Sequence, residues 1–181
     1  SRATAAHSTL YINNTSSCSF QKNKFINEIY GNSLVDNHKI IKKNYTENKD
    51  FYSIVASHNG YVKKFGYVHT RSIKISKKED KIFGEDEIKK TKNYSNPLQY
   101  FIRFHIYPKN KIVKTMAGNS VLISLPNGDG WSLLSETNNF DIEKNLFLGN
   151  KNRIINNESV SISGKIIEEI TLVKWIIKKI N

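Results

Sequence analysis

One cysteine, one methionine and three prolines are spread through 181 residues, and no apolar run approaches the length of a membrane span. Each scarcity excludes something. With Cys18 alone, no internal disulfide and no CxxC metal or redox pair can form, and the redox compartment stays open. Cys18 reads as a small packed residue rather than a nucleophile, because no histidine pattern around it would activate a thiol. A membrane-spanning helix needs about 18 consecutive apolar residues, so no membrane span is expected. No basic-then-apolar leader is visible, and the chain opens at Ser1 with its only methionine at Met116; it reads as a fragment cut from a longer protein. There is no Gly-rich phosphate loop, no nucleophile elbow and no repeat of fixed period.

Acidic residues are also in deficit. Lys and Arg number 28 against 16 Asp and Glu, a net charge of +12, and such a surface attracts polyanions: nucleic acid, anionic lipid or acidic polysaccharide. The basic residues are spread along the chain rather than grouped with stacking aromatics, which argues against nucleic acid. Many of these lysines simply solvate outward strand faces, so charge alone does not choose the partner.

What is present is strand sequence. Apolar residues make up 38% of the chain and aromatics 11%, enough for one domain over residues 1–181 with a real core. Thr9–Ile12 predicts a strand followed by a turn in Asn13–Ser17, and Ser19–Ser33 reads as a long polar loop. Lys39–Tyr45 and Phe51–Ser57 predict a hairpin about Thr46–Asp50, and His58–Tyr61 a turn at its Asn-Gly pair. Phe65–Ser76 and Ile82–Ile88 follow as strands. Further short strands are expected near Ile112–Met116, Ser120–Leu125, Gly130–Glu136 and Phe140–Leu148, with turns at Gly118-Asn119 and Asn127–Gly130. Asn152–Ser163 and Glu169–Ile180 predict a final hairpin about Gly164. Glu168–Ile180 also has apolar residues near helical spacing, but its β-branched content favours a strand. About a dozen strands, with turn signals every 8–12 residues, imply an all-β fold: an antiparallel β-sandwich, or a barrel.

The most informative stretch is Tyr100–Pro108, YFIRFHIYP. Side chains alternate across a strand, so Ile102, Phe104 and Ile106 share a core face. Phe101, Arg103, His105 and Tyr107 share the other, a cationic and aromatic face suited to an anionic, ring-shaped ligand such as a sugar acid. A half-exposed strand with ordinary polar neighbours is the competing reading. His69 and Arg71 repeat the in-phase pairing of imidazole and guanidinium. His7 and His58 lie at strand ends beside polar or aromatic groups, and His38 reads as plain surface. Each histidine could act as base, acid or ligand, but no HxH or HxxxH with a carboxylate partner marks a metal site.

The order of these motifs resembles a known family. RATAAHSTLYINNTSSC, SHNGY, GYVHTRSI, GEDEI, FIRFHIYP, the NGDGW turn and the closing ISGKI…TLVKWIIKKI resemble the C-terminal β-domain of heparinase II/III-type polysaccharide lyases, from Arg2 to about Ile180. The resemblance implies a β-sandwich that follows an N-terminal (α/α) toroid, with the active cleft between them, in a bacterial periplasmic or cell-envelope protein. It implies cleavage of acidic, uronate-containing polysaccharide by β-elimination. One group neutralises the uronate carboxylate, a base takes the C5 proton and an acid protonates the departing O4 oxygen.

Carried onto this chain, the resemblance gives His58 and His105 proton-transfer roles and gives Tyr61, His69, Arg71 and Arg103 substrate-binding roles. His7, in TAAHST, matches a ligand of a structural zinc site whose other ligands, a His and an Asp, would lie upstream of Ser1. Asn59 stands where the family pattern has Asp. The toroid, with its own catalytic residues, is missing, so this fragment alone is expected to be inactive. The alternative from another class is a non-catalytic carbohydrate-binding or cell-envelope module.

Overall fold

The computed structural model describes residues 3–31, 33–35, 38–137, 139–150 and 153–180; what the sequence suggests at Arg2 and Asn152 lies outside them. The described chain is built from strands: β1 (Leu10–Ile12), β2 (Ile40–Glu47), β3 (Phe51–Tyr61), β4 (Tyr67–Ser76), β5 (Lys81–Lys90), β6 (Leu98–His105), β7 (Lys111–Lys114), β8 (Ser120–Ser124), β9 (Gly130–Ser135), β10 (Phe140–Asn150), β11 (Arg153–Ile166) and β12 (Ile170–Lys179). Two short helices interrupt them, α1 (Lys24–Tyr30) and α2 (Val62–Phe65), and a single 3₁₀ turn covers Thr4–Ala6.

The strands form two sheets. A small one has the order β1-β6-β11-β10 and a large one β2-β3-β4-β5-β12-β9-β8-β7. Every named strand pair is antiparallel, as the all-β sandwich expectation requires. In β6 the alternation holds: Leu98, Tyr100, Ile102 and Phe104 are buried while Phe101, Arg103 and His105 are half-buried on the opposite face. Ile102 of the small sheet and Ile88, Leu133 and Val173 of the large one belong to the same core. Each such side chain contributes about 2 kcal/mol through burial. Phe104 meets Trp175 of β12 edge to face, with ring centroids 5.0 Å apart, and so links the two sheets.

Three expectations are corrected. Ser19–Ser33 is not all loop, because Asn23 caps α1, its side-chain oxygen accepting the N–H groups of Phe25 and Ile26. Seven residues are too few for helical periodicity to stand out. The Asn-Gly pair does not turn the chain: β3 continues through a bulge between His58 and Tyr61, and the reversal is made by α2. Gly66 then closes α2 in the left-handed region at φ 78°, where its N–H reaches the Val62 carbonyl and a Cβ would lie 2.7 Å from the Lys92 carbonyl oxygen. Finally, β11 and β12 are not a hairpin. β11 pairs with β6 and β10, whereas β12 pairs with β5 and β9, so the connection after Ile166 crosses between sheets.

Candidate functional site

The histidine and arginine residues singled out in the sequence fall into two separate clusters. The first lies on the large sheet where β3, β4, β5 and β12 run side by side, with His69, Asp86 and Trp175 buried and His58 and Arg71 partly so. His58 opposes His69 across β3 and β4, and Arg71 opposes Asp86 across β4 and β5. Trp175 opposes Gly84. A Cβ on Gly84 would sit 2.0 Å from the Trp175 ring; the missing side chain is the seat on which the indole lies.

Asp86 is the hub of this cluster. It is 0% exposed, and its carboxylate accepts four hydrogen bonds. They come from His69 Nε2 at 2.7 Å, Arg71 Nε at 2.7 Å, Arg71 Nη2 at 2.9 Å and Trp175 Nε1 at 2.9 Å. Burial pushes the carboxyl pKa up, but the His69 bond and the Arg71 charge and fork outweigh it and bring it down to about 2. The remaining arm of Arg71, Nη1, donates to the Ser8 carbonyl at 2.6 Å.

The imidazoles form a directed chain. Gly60 N–H, freed by the bulge, can only donate, and it donates to His58 Nδ1 at 3.1 Å. The His58 proton therefore sits on Nε2, which donates to His69 Nδ1 at 3.1 Å, and the His69 proton sits on Nε2 facing Asp86. Burial, then the nearby His69 and His38, hold the His58 pKa down at about 4. His58 is thus neutral near pH 7, with both ring nitrogens engaged. Tyr61, also 0% exposed, donates its hydroxyl to the Leu10 carbonyl at 3.1 Å, and burial raises its pKa.

The second cluster lies on the outward face of the small sheet. Arg103 Nη1 donates to the Ala5 carbonyl at 3.0 Å and Nη2 to the Tyr11 hydroxyl at 2.8 Å; Nη2 also pairs with Glu143. The guanidinium stands over the Tyr11 ring, which in turn stacks on Phe101. His105 Nε2 faces the Ala5 carbonyl at 3.1 Å, so that nitrogen carries the proton, and Nδ1 accepts from the Asn145 side-chain amide at 2.8 Å. Burial lowers the His105 pKa, opposed by the Ala5 bond and aided by the Arg103 charge. This cluster borders an open groove of about 1260 Å³ whose walls include Ala5, His7, Arg103, His105, Lys109 and Asn145.

Ser8 links the two clusters. Its carbonyl is held by Arg71, and its hydroxyl accepts the His105 backbone N–H at 3.0 Å. Sequence reading placed His58, Tyr61, His69, Arg71, Arg103 and His105 along one substrate-facing set; the fold puts only Arg103 and His105 on the groove, with His7 exposed beside them. It missed Asp86, Trp175, Glu143 and Asn145. Asp86 was within sight in IFGEDEI, since its register places it opposite Arg71.

The described residues do not by themselves make a zinc site. His7 is exposed, and among the described residues no three His, Cys, Asp or Glu side chains converge to hold a metal ion. One imidazole does not hold zinc by itself.

A sequence profile of the family described as heparinase II/III-like, C-terminal, matches residues 1–176. The chain belongs to this heparinase II/III-like C-terminal family. Solved structures share its fold. The heparan sulfate lyase HepC from Pedobacter heparinus superimposes with a TM-score of 0.73 at 12% identity over 98% of this chain. The heparinase III BT4657 gene product gives 0.71 at 14% over 99%, and another heparinase III gives 0.67 at 16% over 99%. The heparinase-like domain spans only 24% of each of those chains. No curated protein sequence matches it. Among the described residues, no helix is long and apolar enough to cross a membrane.

Proposed function

We propose that this heparinase-like domain forms the β-sandwich side of the cleft in a lyase that cleaves uronate-containing polysaccharide by β-elimination, in a periplasmic or cell-envelope setting. The observation that carries the reading is the groove itself. Arg103, His105 and Asn145 present a guanidinium, an imidazole and an amide along one open wall. The C5 proton of a uronate becomes acidic enough to remove only when the neighbouring carboxylate is neutralised or hydrogen-bonded, and Asn145 and the groove cations supply such donors.

His105 is the proton-transfer candidate of this domain, because its Nδ1 is held only by an amide that a substrate group can displace. His58 acts through the buried chain of hydrogen bonds rather than at the substrate. The partner is the (α/α) toroid of the same polypeptide, which closes the cleft from the other side.

The test is the parent chain with its toroid, assayed on a panel of acidic glycans for unsaturated uronate by ultraviolet absorbance. Product from at least one glycan, reduced by His105→Gln, supports the reading; no product from any overturns it. One observation favours a second reading, a carbohydrate-binding module. Both ring nitrogens of His58 and of His105 are engaged within the domain. A parent chain that binds the glycans without cleaving them would establish that module instead.

A further inference from the structure

An aromatic ring on the groove wall, Phe147, pairs with the exposed ring of Tyr107 beside it, and the chemistry above uses neither. Phe147 of β10 lines the groove and meets Tyr107 edge to face, centroids 5.3 Å apart at an interplanar angle of 72°. Tyr107 is 64% exposed, in the loop that follows β6. Phe147 is seated rather than loose: its ring lies against Gly149, where a Cβ would come within 2.3 Å of Phe147 Cζ. The loop carrying Tyr107 is also tied down, since the Asn157 side-chain amide donates to the Ile106 carbonyl and Asn110 N–H donates to the Tyr107 carbonyl at 3.3 Å. Lys109, beside them on the groove wall, holds a left-handed backbone at φ 79°, a conformation a lysine adopts only at some cost.

We propose that Tyr107 and Phe147 form a stacking platform for one pyranose ring of a glycan lying in the groove, with Lys109 placed to meet an acidic substituent on that ring. The proposal rests on the polysaccharide reading above and adds a subsite to it. A pyranose presents an apolar face of C–H groups bounded by hydroxyls. A rigid aromatic pair beside side-chain amides and a cation complements both features. Charge complementarity favours an acidic sugar, because the groove walls carry Lys109 and Lys144 against one carboxylate, that of Glu158, while Glu143 outside the lining is paired with Arg103. The groove, at about 1260 Å³, exceeds what a drug-sized ligand fills and leaves room for several sugar units.

The experiment is NMR titration of the 181-residue chain with two probes: a hexuronate-containing tetrasaccharide prepared from heparan sulfate, and uncharged cellotetraose. Both should shift the Tyr107 and Phe147 ring signals, the acidic probe at lower concentration. Tyr107→Ala should weaken both by roughly ten-fold at every salt concentration, the scale expected for losing one buried ring contact, and Tyr107→Phe should bind as the parent does. Lys109→Gln should weaken only the acidic probe and flatten its salt dependence. Unchanged binding by Tyr107→Ala, or ring signals that neither probe moves, overturns the platform. If cellotetraose binds there and the acidic probe binds no better at low salt, the platform stands and the acidic-substrate reading falls. If the full-length parent releases unsaturated uronate and Tyr107→Ala leaves its KM unchanged, the platform falls and the lyase reading stands.

Discussion

The buried hub about Asp86 and the open groove about His105 use the same residue types to opposite ends. Each brings together an arginine, a histidine and a carboxylate, across adjacent strands in the hub and from β6 over β11 to β10 beside the groove. In the hub the carboxylate is fully buried and takes four donors, so every polar atom is committed and the imidazoles are locked in one tautomer. In the groove Glu143 is 34% exposed, and His105 is held on one side only by a side-chain amide. Solvent exposure decides the difference. A charge network in low dielectric fixes geometry and tolerates little change; one bordering water can exchange partners with a ligand.

Removing each carboxylate is the strongest way to break that comparison. Asp86→Ala leaves Arg71, a cation only 16% exposed, with the Ser8 carbonyl as its one remaining acceptor among the described residues, and it strands the buried Trp175 N–H. We expect a loss of about 3–5 kcal/mol, read as a fall in the urea midpoint. Glu143→Gln should cost about 1 kcal/mol or less, because water replaces part of what is lost. Equal losses from the two variants would show that burial does not separate the clusters.

A substitution that adds one carbon sharpens the same point. Gly84→Ala introduces a methyl group 2.0 Å from the Trp175 ring, which cannot move without leaving Asp86. A cost of about 2–3 kcal/mol is expected, with a shift in tryptophan fluorescence. If the emission is unchanged, the indole is not confined by this seat.

Acid should act on the hub. The His58 pKa falls from 6.5 to about 4 on folding. Between those values the unfolded chain binds a proton that the native one does not, so stability is full above pH 6.5 and declines as the pH falls towards 4. His69 and His38 are the titratable neighbours of this ring. The steepest slope for one proton is about 1.4 kcal/mol per pH unit. Asp86, lowered from 3.8 to about 2, extends the loss in the same direction below pH 4. Urea midpoints measured across this range should follow the curve, and His58→Gln should flatten its upper part.

Much of this was readable beforehand and some was not. The alternation in FIRFH is a local property, and it placed Arg103 and His105 away from the core correctly. The motif order carried the fold because it spans nearly the whole chain. Gly164 and Gly84 were opaque for a shared reason: each lies beneath an aromatic ring on the adjacent strand, Tyr100 and Trp175 respectively. Gly164 therefore read as a turn when it is an aromatic seat inside β11. Strand partners remote in sequence create these contacts, as they do the pairing of β5 with β12 that brings Trp175 to Asp86. The division of the six candidate residues into two clusters also depends on sheet order, which no short motif encodes.

The smallest expected effect on stability tests the open side of the comparison. Asn145→Ala removes two hydrogen bonds near the surface, the amide's to His105 Nδ1 and the one its oxygen accepts from Leu146 N–H, and because water replaces both, about 0.5–1 kcal/mol is the most it should cost. Its effect on ionisation should be clearer. The Asn145 amide donates to His105 Nδ1, the nitrogen that must accept a proton when the ring becomes charged, so the bond favours the neutral form. Without it the His105 pKa should rise from its lowered position towards 6.5, the ordinary value, and an imidazole NMR titration reads this directly. The His58 resonance, locked between Gly60 and His69, should not move. A shift shared by both rings would mean that Ser8, which joins the two clusters, transmits the change, and that the hub and the groove respond as one unit.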